Sequence, residues 1–183
     1  ASELPPISYL QASGGQMRDQ AIHFFDLLRW LTEDEVSTVG ALGAALAMPE
    51  IRDFDVDTSV LIMRMQQGAL AQLDNTRRTA YGYDERISVM GSEGMLASES
   101  QSARGATLYQ GKGITQPGLY ADWFNRVKET YYTHLDAFVR YIGGEKIEGL
   151  PGLIDGLRAQ AIAEAAQLSL TRGEFTEVER VAI

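Results

Sequence analysis

The chain has 183 residues, enough for one domain with a substantial core, and its 45% apolar and 22% charged residues are those of a globular protein. A formal charge of −9 argues against a general nucleic-acid or anionic-membrane binder, because both partners reward a basic face. The lack of cysteine excludes disulfides, thiolate metal sites and a cysteine nucleophile, and it fits a reducing, cytoplasmic location.

No apolar run approaches the roughly 20 residues needed to span a bilayer, and no signal peptide is visible. The chain starts at Ala1 without an initiator Met, as expected of a processed or trimmed piece.

In chain order, Pro5-Pro6 leads into "ISYLQAS" (7–13), whose alternation predicts a half-buried strand. A helix is expected from Met17 to Leu31. At about 100° per residue, Ala21, Phe24, Phe25, Leu28 and Leu31 share one face, while Asp19, His23, Asp26 and Trp30 share the opposite one. Strands follow at 36–46, 57–65 and 69–78, the last two around a hairpin turn at Gln67-Gly68. Further strands are expected at 85–91 and 94–100, around Ser92-Glu93, and at 106–115. A helix over Trp123–Ile142 carries the stripe Phe124, Val127, Tyr131, Leu135, Phe138 and Ile142, and Gly143-Gly144 ends it. A second, Ala- and Leu-rich helix runs from Leu153 to Leu170 and stops at Gly173, and "EFTEV" suits a last strand. Strands grouped between helices predict an α+β fold: one open, predominantly antiparallel sheet with helices packed on one face.

Among the candidate motifs, Asp19 and His23 stand at i, i+4, within reach on one helix face. A carboxylate beside an imidazole favours the imidazolium and can fix its tautomer, which suits a general base acting on an alcohol. The same spacing also suits a first-turn Asp favoured by the helix dipole, followed by a surface His. "DFDVDTS" (53–59) begins like a calcium loop but has Thr58 and Arg64 where Gly and Glu are required, so it reads as a solvated loop. "GALG" and "GKGITQPG" lack the dinucleotide-cradle spacing, and no phosphate loop or serine nucleophile elbow is present. His134 lacks recognisable co-ligands, so no metal site is expected. In "DNTRRTAYGYDER" (74–86), Tyr81 and Tyr83 would share a face if the segment is extended. They could then pack on a sugar-like ring or form cross-strand aromatic pairs.

Taken together, "SGGQMRDQAIHFFDLLRWL" and "DNTRRTAYGYDERISVMGSEGML" resemble the C-terminal domain of the Gfo/Idh/MocA oxidoreductases, in particular their inositol 2-dehydrogenase branch. "YYTHLDAFVRYI" and "LPGLIDGLRAQAIAEAAQLS" resemble the family's closing helices, so the likeness spans nearly the whole chain. The resemblance implies a two-domain enzyme in which an N-terminal Rossmann domain, absent here, binds NAD or NADP and contributes a lysine. Residues 1–183 would be its C-terminal substrate-binding and oligomerisation domain. His23 would be the base that removes a hydroxyl proton, Asp19 would orient it, and Asp26, Tyr81 and Tyr83 would line a pocket for a polyol or sugar. Some relatives carry a hydroxyl residue where this chain has Gln20. The open sheet would make a homo-oligomer, a dimer or tetramer, and apolar residues on both faces of "SVLIMRM" would fit that role. The bland alternative is a fully buried central strand. The isolated chain is expected to be inactive, because hydride acceptor and base are separated. The rival reading is a non-catalytic binding or assembly module that keeps the fold, and within the family a different sugar substrate is a third.

Overall fold

The computed structural model describes residues 4–103 and 105–182. Contacts divide the described residues into two compact units, 5–76 with 149–182 and 77–148 with Leu4.

The first unit holds the core. It begins with α1 (Ile7–Ala12), a short helix where alternation predicts a strand. Proline pre-sets φ at −59° at Pro6, and the Pro6 carbonyl accepts from the N–H groups of Tyr9 and Leu10, which nucleates a turn. Leu10 alone of these residues is buried and Ile7 is 40% exposed, so no alternating face is set against the core. Gly14 and Gly15 follow, both at φ +87°, a region that glycine enters without a Cβ penalty. They turn the chain into a wide helical turn of π type, Met17–Ala21, continuous with α2 (Ile22–Thr32).

Strand β1 (Val36–Ala44), β2 (Thr58–Met65) and β3 (Leu70–Thr76) form an antiparallel meander, and β8 (Thr176–Glu177) pairs on the far side of β1. The order is β3-β2-β1-β8, with the β2–β3 turn at Gly68, φ +98°. Helix α4 (Leu153–Arg172) lies on β1, and its Ala159, Ala163 and Ala166 are small enough for close approach. With Met17, Ala21 and Phe25 below and Val39, Leu61 and Met63 above, these side chains make one dry core. Burial alternates along β2: Ser59, Leu61, Met63 and Met65 face the core, while Val60 and Ile62 are 46% and 49% exposed. β2 is therefore not a fully buried strand, and the sheet is open on the face away from the helices.

The "DFDVDTS" segment is not a solvated loop. Asp57 is fully buried and accepts from the N–H groups of Leu46, Ala47 and Met48 and from the Thr58 hydroxyl. Asp55 accepts from the Gln16 N–H at 2.9 Å, tying this loop to the start of the π turn. Burial pushes the Asp57 carboxyl up, but the hydrogen bonds from Met48, Thr58, Leu46 and Ala47 together hold it below the ordinary carboxylate range.

The second unit carries regular elements with little interior. Among the described residues, β4 (Ile87–Gly91) pairs only with β5 (Gly94–Ser98), and β6 (Leu108–Gln110) only with β7 (Gly113–Thr115). The expected open antiparallel sheet is thus the four-stranded β3-β2-β1-β8, with two hairpins beside it in sequence, and the single strand expected over 106–115 is corrected to two. The Gly111-Lys112 turn folds that segment back on itself, with Gly113 at φ +142°. Helix α3 (Trp123–Ile142) matches its expected bounds. Asp122 caps it by accepting from the Asn125 N–H. None of its residues is buried. Among the described residues no helix is long and apolar enough to cross a membrane.

Candidate active site

Helix α2 and the π turn before it set the site. A π turn inserts an extra residue into the helical ladder and re-aims the side chains around it. Asp19 sits within that turn and His23 just after it. Asp19 Oδ1 accepts a hydrogen bond from the Tyr9 hydroxyl at 2.5 Å, so α1 braces the carboxylate. His23 is exposed.

His23, Asp26 and Trp30 line one open cleft of about 620 Å³, and Gly149, Leu150, Pro151 and Asp155 form its opposite side. The expected stripe is therefore largely realised: three of its four members share a cavity. Asp19 is not among the residues lining it. The opposite, apolar face packs as expected at Ala21 and Phe25, but it fades at its end, where Leu31 is 36% exposed.

Asp26 is not isolated. Its Oδ1 accepts from Arg29 Nη1 at 3.0 Å. Arg29, only 7% exposed, also makes a two-pronged pair with Glu35, at 2.8 and 2.9 Å, and reaches the carbonyl and carboxylate of Asp155 at 3.4 Å. Arg158 donates to Glu35 at 3.0 Å. The hydrogen bond to Glu35 raises the Arg29 guanidinium, against burial, above its ordinary value. Asp155 is held below the carboxylate range, first by the Gly152 N–H, then, against burial, by Arg29. The Asp26–Arg29 spacing of three was legible on the helix. The contributions of Glu35, Asp155 and Arg158 come from the connection before β1 and from α4, and no local pattern announces them.

Gln20, where some relatives carry a hydroxyl residue, donates from Nε2 to the Thr76 carbonyl at 3.1 Å. The residue thus ties the π turn to the end of β3.

Tyr81 and Tyr83 belong to the other unit. The segment around them is not an extended strand, so the shared face expected from parity is absent. Gly82 lies at φ +121°, and a Cβ there would come within 2.9 Å of the Tyr120 carbonyl oxygen. This glycine makes the bend possible. Tyr81, exposed, donates to Asp84 at 2.9 Å. Tyr83 is half-buried and its N–H donates to the Tyr120 carbonyl at 2.7 Å. Burial raises the Tyr83 phenol above its ordinary value, with the Glu85 carboxylate adding to the effect.

No group of three or more potential ligands for a metal exists among the described residues. Nor do they build a dinucleotide cradle. Every strand pair is antiparallel, and that cradle needs a strand turning through glycines into a helix within a parallel βαβ unit. What this chain offers is an exposed imidazole and an anchored carboxylate on one cleft.

Residues 5–97 match the family model described as the GFO/IDH/MocA C-terminal domain. An inositol 2-dehydrogenase of Rhizobium meliloti is 39% identical over 168 residues, which is 91% of this chain and 50% of that protein. The crystal structure of a myo-inositol dehydrogenase from Corynebacterium glutamicum superposes with a TM-score of 0.88 at 27% identity, covering 98% of this chain and 54% of that one. A scyllo-inositol dehydrogenase from Lactobacillus casei, with bound NAD(H) and scyllo-inositol, superposes at 0.83 with 26% identity, over 94% of this chain and 52% of that one. This chain spans about half the length of the relatives it matches. With its open antiparallel sheet, helices on one face and the matching family model, the chain belongs to the GFO/IDH/MocA C-terminal domain family.

Proposed function

We propose that this chain is the substrate-side half of an NAD(P)-linked dehydrogenase that oxidises a secondary hydroxyl of a cyclic polyol or sugar, with myo-inositol the first candidate. The observation that carries this reading is the cleft on which His23 and Asp26 meet, in a chain whose relatives are inositol dehydrogenases.

In this reading His23 is the general base. It takes the proton from the substrate hydroxyl while the hydrogen on the same carbon leaves with its electron pair, so the alcohol becomes a ketone. A nicotinamide cofactor, held by the N-terminal half of the whole protein, would supply the acceptor for that hydride. Asp19 orients His23 and stabilises the imidazolium it becomes, with Tyr9 fixing the carboxylate. Asp26 binds another hydroxyl of the ring. The open face of the sheet, with Leu42, Val60, Ile62 and Leu70 exposed, supplies a homo-oligomer interface. The enzyme works in the cytoplasm and binds neither nucleic acid nor membrane.

The isolated chain should not turn over, because the base has no hydride acceptor beside it. The test is NAD and NADP reduction with myo-inositol, comparing this chain, the full-length protein and its His23→Ala variant. Activity confined to the full-length protein, falling about 10²–10⁴-fold in the variant, is the expected result. Because His23 is exposed, the melting temperature of the variant should stay put. A full-length protein inert toward a panel of polyols would favour a binding module instead, and an undiminished His23→Ala would remove the base assignment.

A further inference from the structure

We propose that Arg29 is a positioning residue of this cleft, holding one oxygen of Asp26 so that the other stays available to a substrate hydroxyl. The proposal rests on the reading of the cleft as a polyol site.

The guanidinium has five N–H donors in a rigid planar fork. All five are engaged. Nε and one Nη2 hydrogen hold Glu35, the other Nη2 hydrogen reaches Asp155 Oδ1, and Nη1 divides between the Asp155 carbonyl and Asp26 Oδ1. The fork is 7% exposed and clamped by Glu35, just before β1, and by Asp155 of α4, so the direction of Nη1 is set by the tertiary structure rather than by a flexible stem. Asp26 differs from Glu35 and Asp155, which line the same cleft but have both carboxylate oxygens engaged. Its side chain is 38% exposed, and its bond to Arg29 uses Oδ1 alone. A free Asp side chain on a helix would sample rotamers. An anchored one offers a pre-aimed acceptor and spares that ordering cost on binding. The requirement is geometric as well as electrostatic. A lysine at this position keeps the charge but has three donors on a flexible stem, and it cannot serve Glu35, Asp155 and Asp26 together.

The experiment uses the full-length protein with NAD and myo-inositol. Arg29→Lys should raise KM for the polyol about tenfold, the scale of one lost charge-assisted contact, with kcat and KM for NAD changed less than about threefold. Asp26→Asn should do the same. The double variant should be no worse than Asp26→Asn alone, because both changes remove one contact. If Arg29→Lys does not fold, Glu35→Gln loosens the fork while leaving Arg29 in place. It should then raise the polyol KM a few-fold, and not at all in an Asp26→Asn background. Additive effects overturn the proposal. So does an unchanged polyol KM, or an equal fall in kcat and rise in both KM values with a lowered melting temperature. A wild-type protein inert toward polyols removes the underlying reading as well, and it is told apart by inactivity before any substitution is made.

Discussion

The two units of this chain spend their apolar residues in opposite ways. In residues 5–76 with 149–182, the apolar side chains of α2, β1, β2 and α4 converge on one core, with Phe25, Val39, Leu61 and Ala163 at zero exposure. In residues 77–148, α3 and four short strands are well formed, yet α3 buries nothing. Phe124, Tyr131, Leu135 and Phe138 of its stripe are each about half exposed. Amphipathic periodicity therefore predicts where a helix runs without guaranteeing what covers it. The cleft that holds His23 is built wholly on the unit with the core, as a site whose geometry must be kept within fractions of an ångström requires.

The sharpest way to break this comparison is a truncation in each unit. Phe25→Ala should cost about 3–5 kcal/mol in urea titrations, the scale of a buried aromatic lost with its cavity. A loss below about 1 kcal/mol would mean that the core is not where the stability lies. Next comes Asp57→Asn, expected to cost about 1–3 kcal/mol, because three backbone N–H groups lose a charged acceptor. The folded-state carboxyl lies below its unfolded value. Its stabilisation is therefore complete above the unfolded value of about 3.9 and is lost as pH falls through the folded value. The gap in melting temperature between the native chain and Asp57→Asn should then stay constant above about pH 3.9, narrow as pH falls below it, and close once pH passes the folded value. A gap that persists unchanged at low pH would assign the effect to shape rather than charge. The smallest effect is expected in the other unit. Phe138→Ala, on the half-exposed face of α3, should shift stability by less than about 1 kcal/mol. A cost comparable to Phe25→Ala would reveal an interior in residues 77–148.

Much of the architecture was legible locally. The bounds of α3, the Gly68 turn, the β4–β5 hairpin and the Gly173 stop of α4 all follow from periodicity and glycine placement. Residues 7–13 misled because seven residues carry too few apolar positions to separate a period of two from a helical one. The hydrogen bonds to the Pro6 carbonyl decided it. The tyrosines misled because parity assumes an extended backbone, and Gly82 bends it. At the site, the stripe of His23, Asp26 and Trp30 was readable from helical geometry. The π turn under Asp19 and the bracing of that carboxylate by Tyr9 were not.

By itself, the amino-acid sequence determined the three longer helices, the β2–β3 and β4–β5 hairpins, the absence of thiol chemistry and of a dinucleotide cradle spacing, and the polar face of α2, since each depends on neighbours within about one helical turn or one strand pair. Only the tertiary structure decided that Asp57 is a buried cap rather than a loop carboxylate, that one face of β2 is open, and that Arg29 is clamped by Glu35 and Asp155. The reason is physical. Burial and charge pairing depend on which distant segments are brought within a few ångströms, and Asp155 lies 126 positions from Arg29 along the chain.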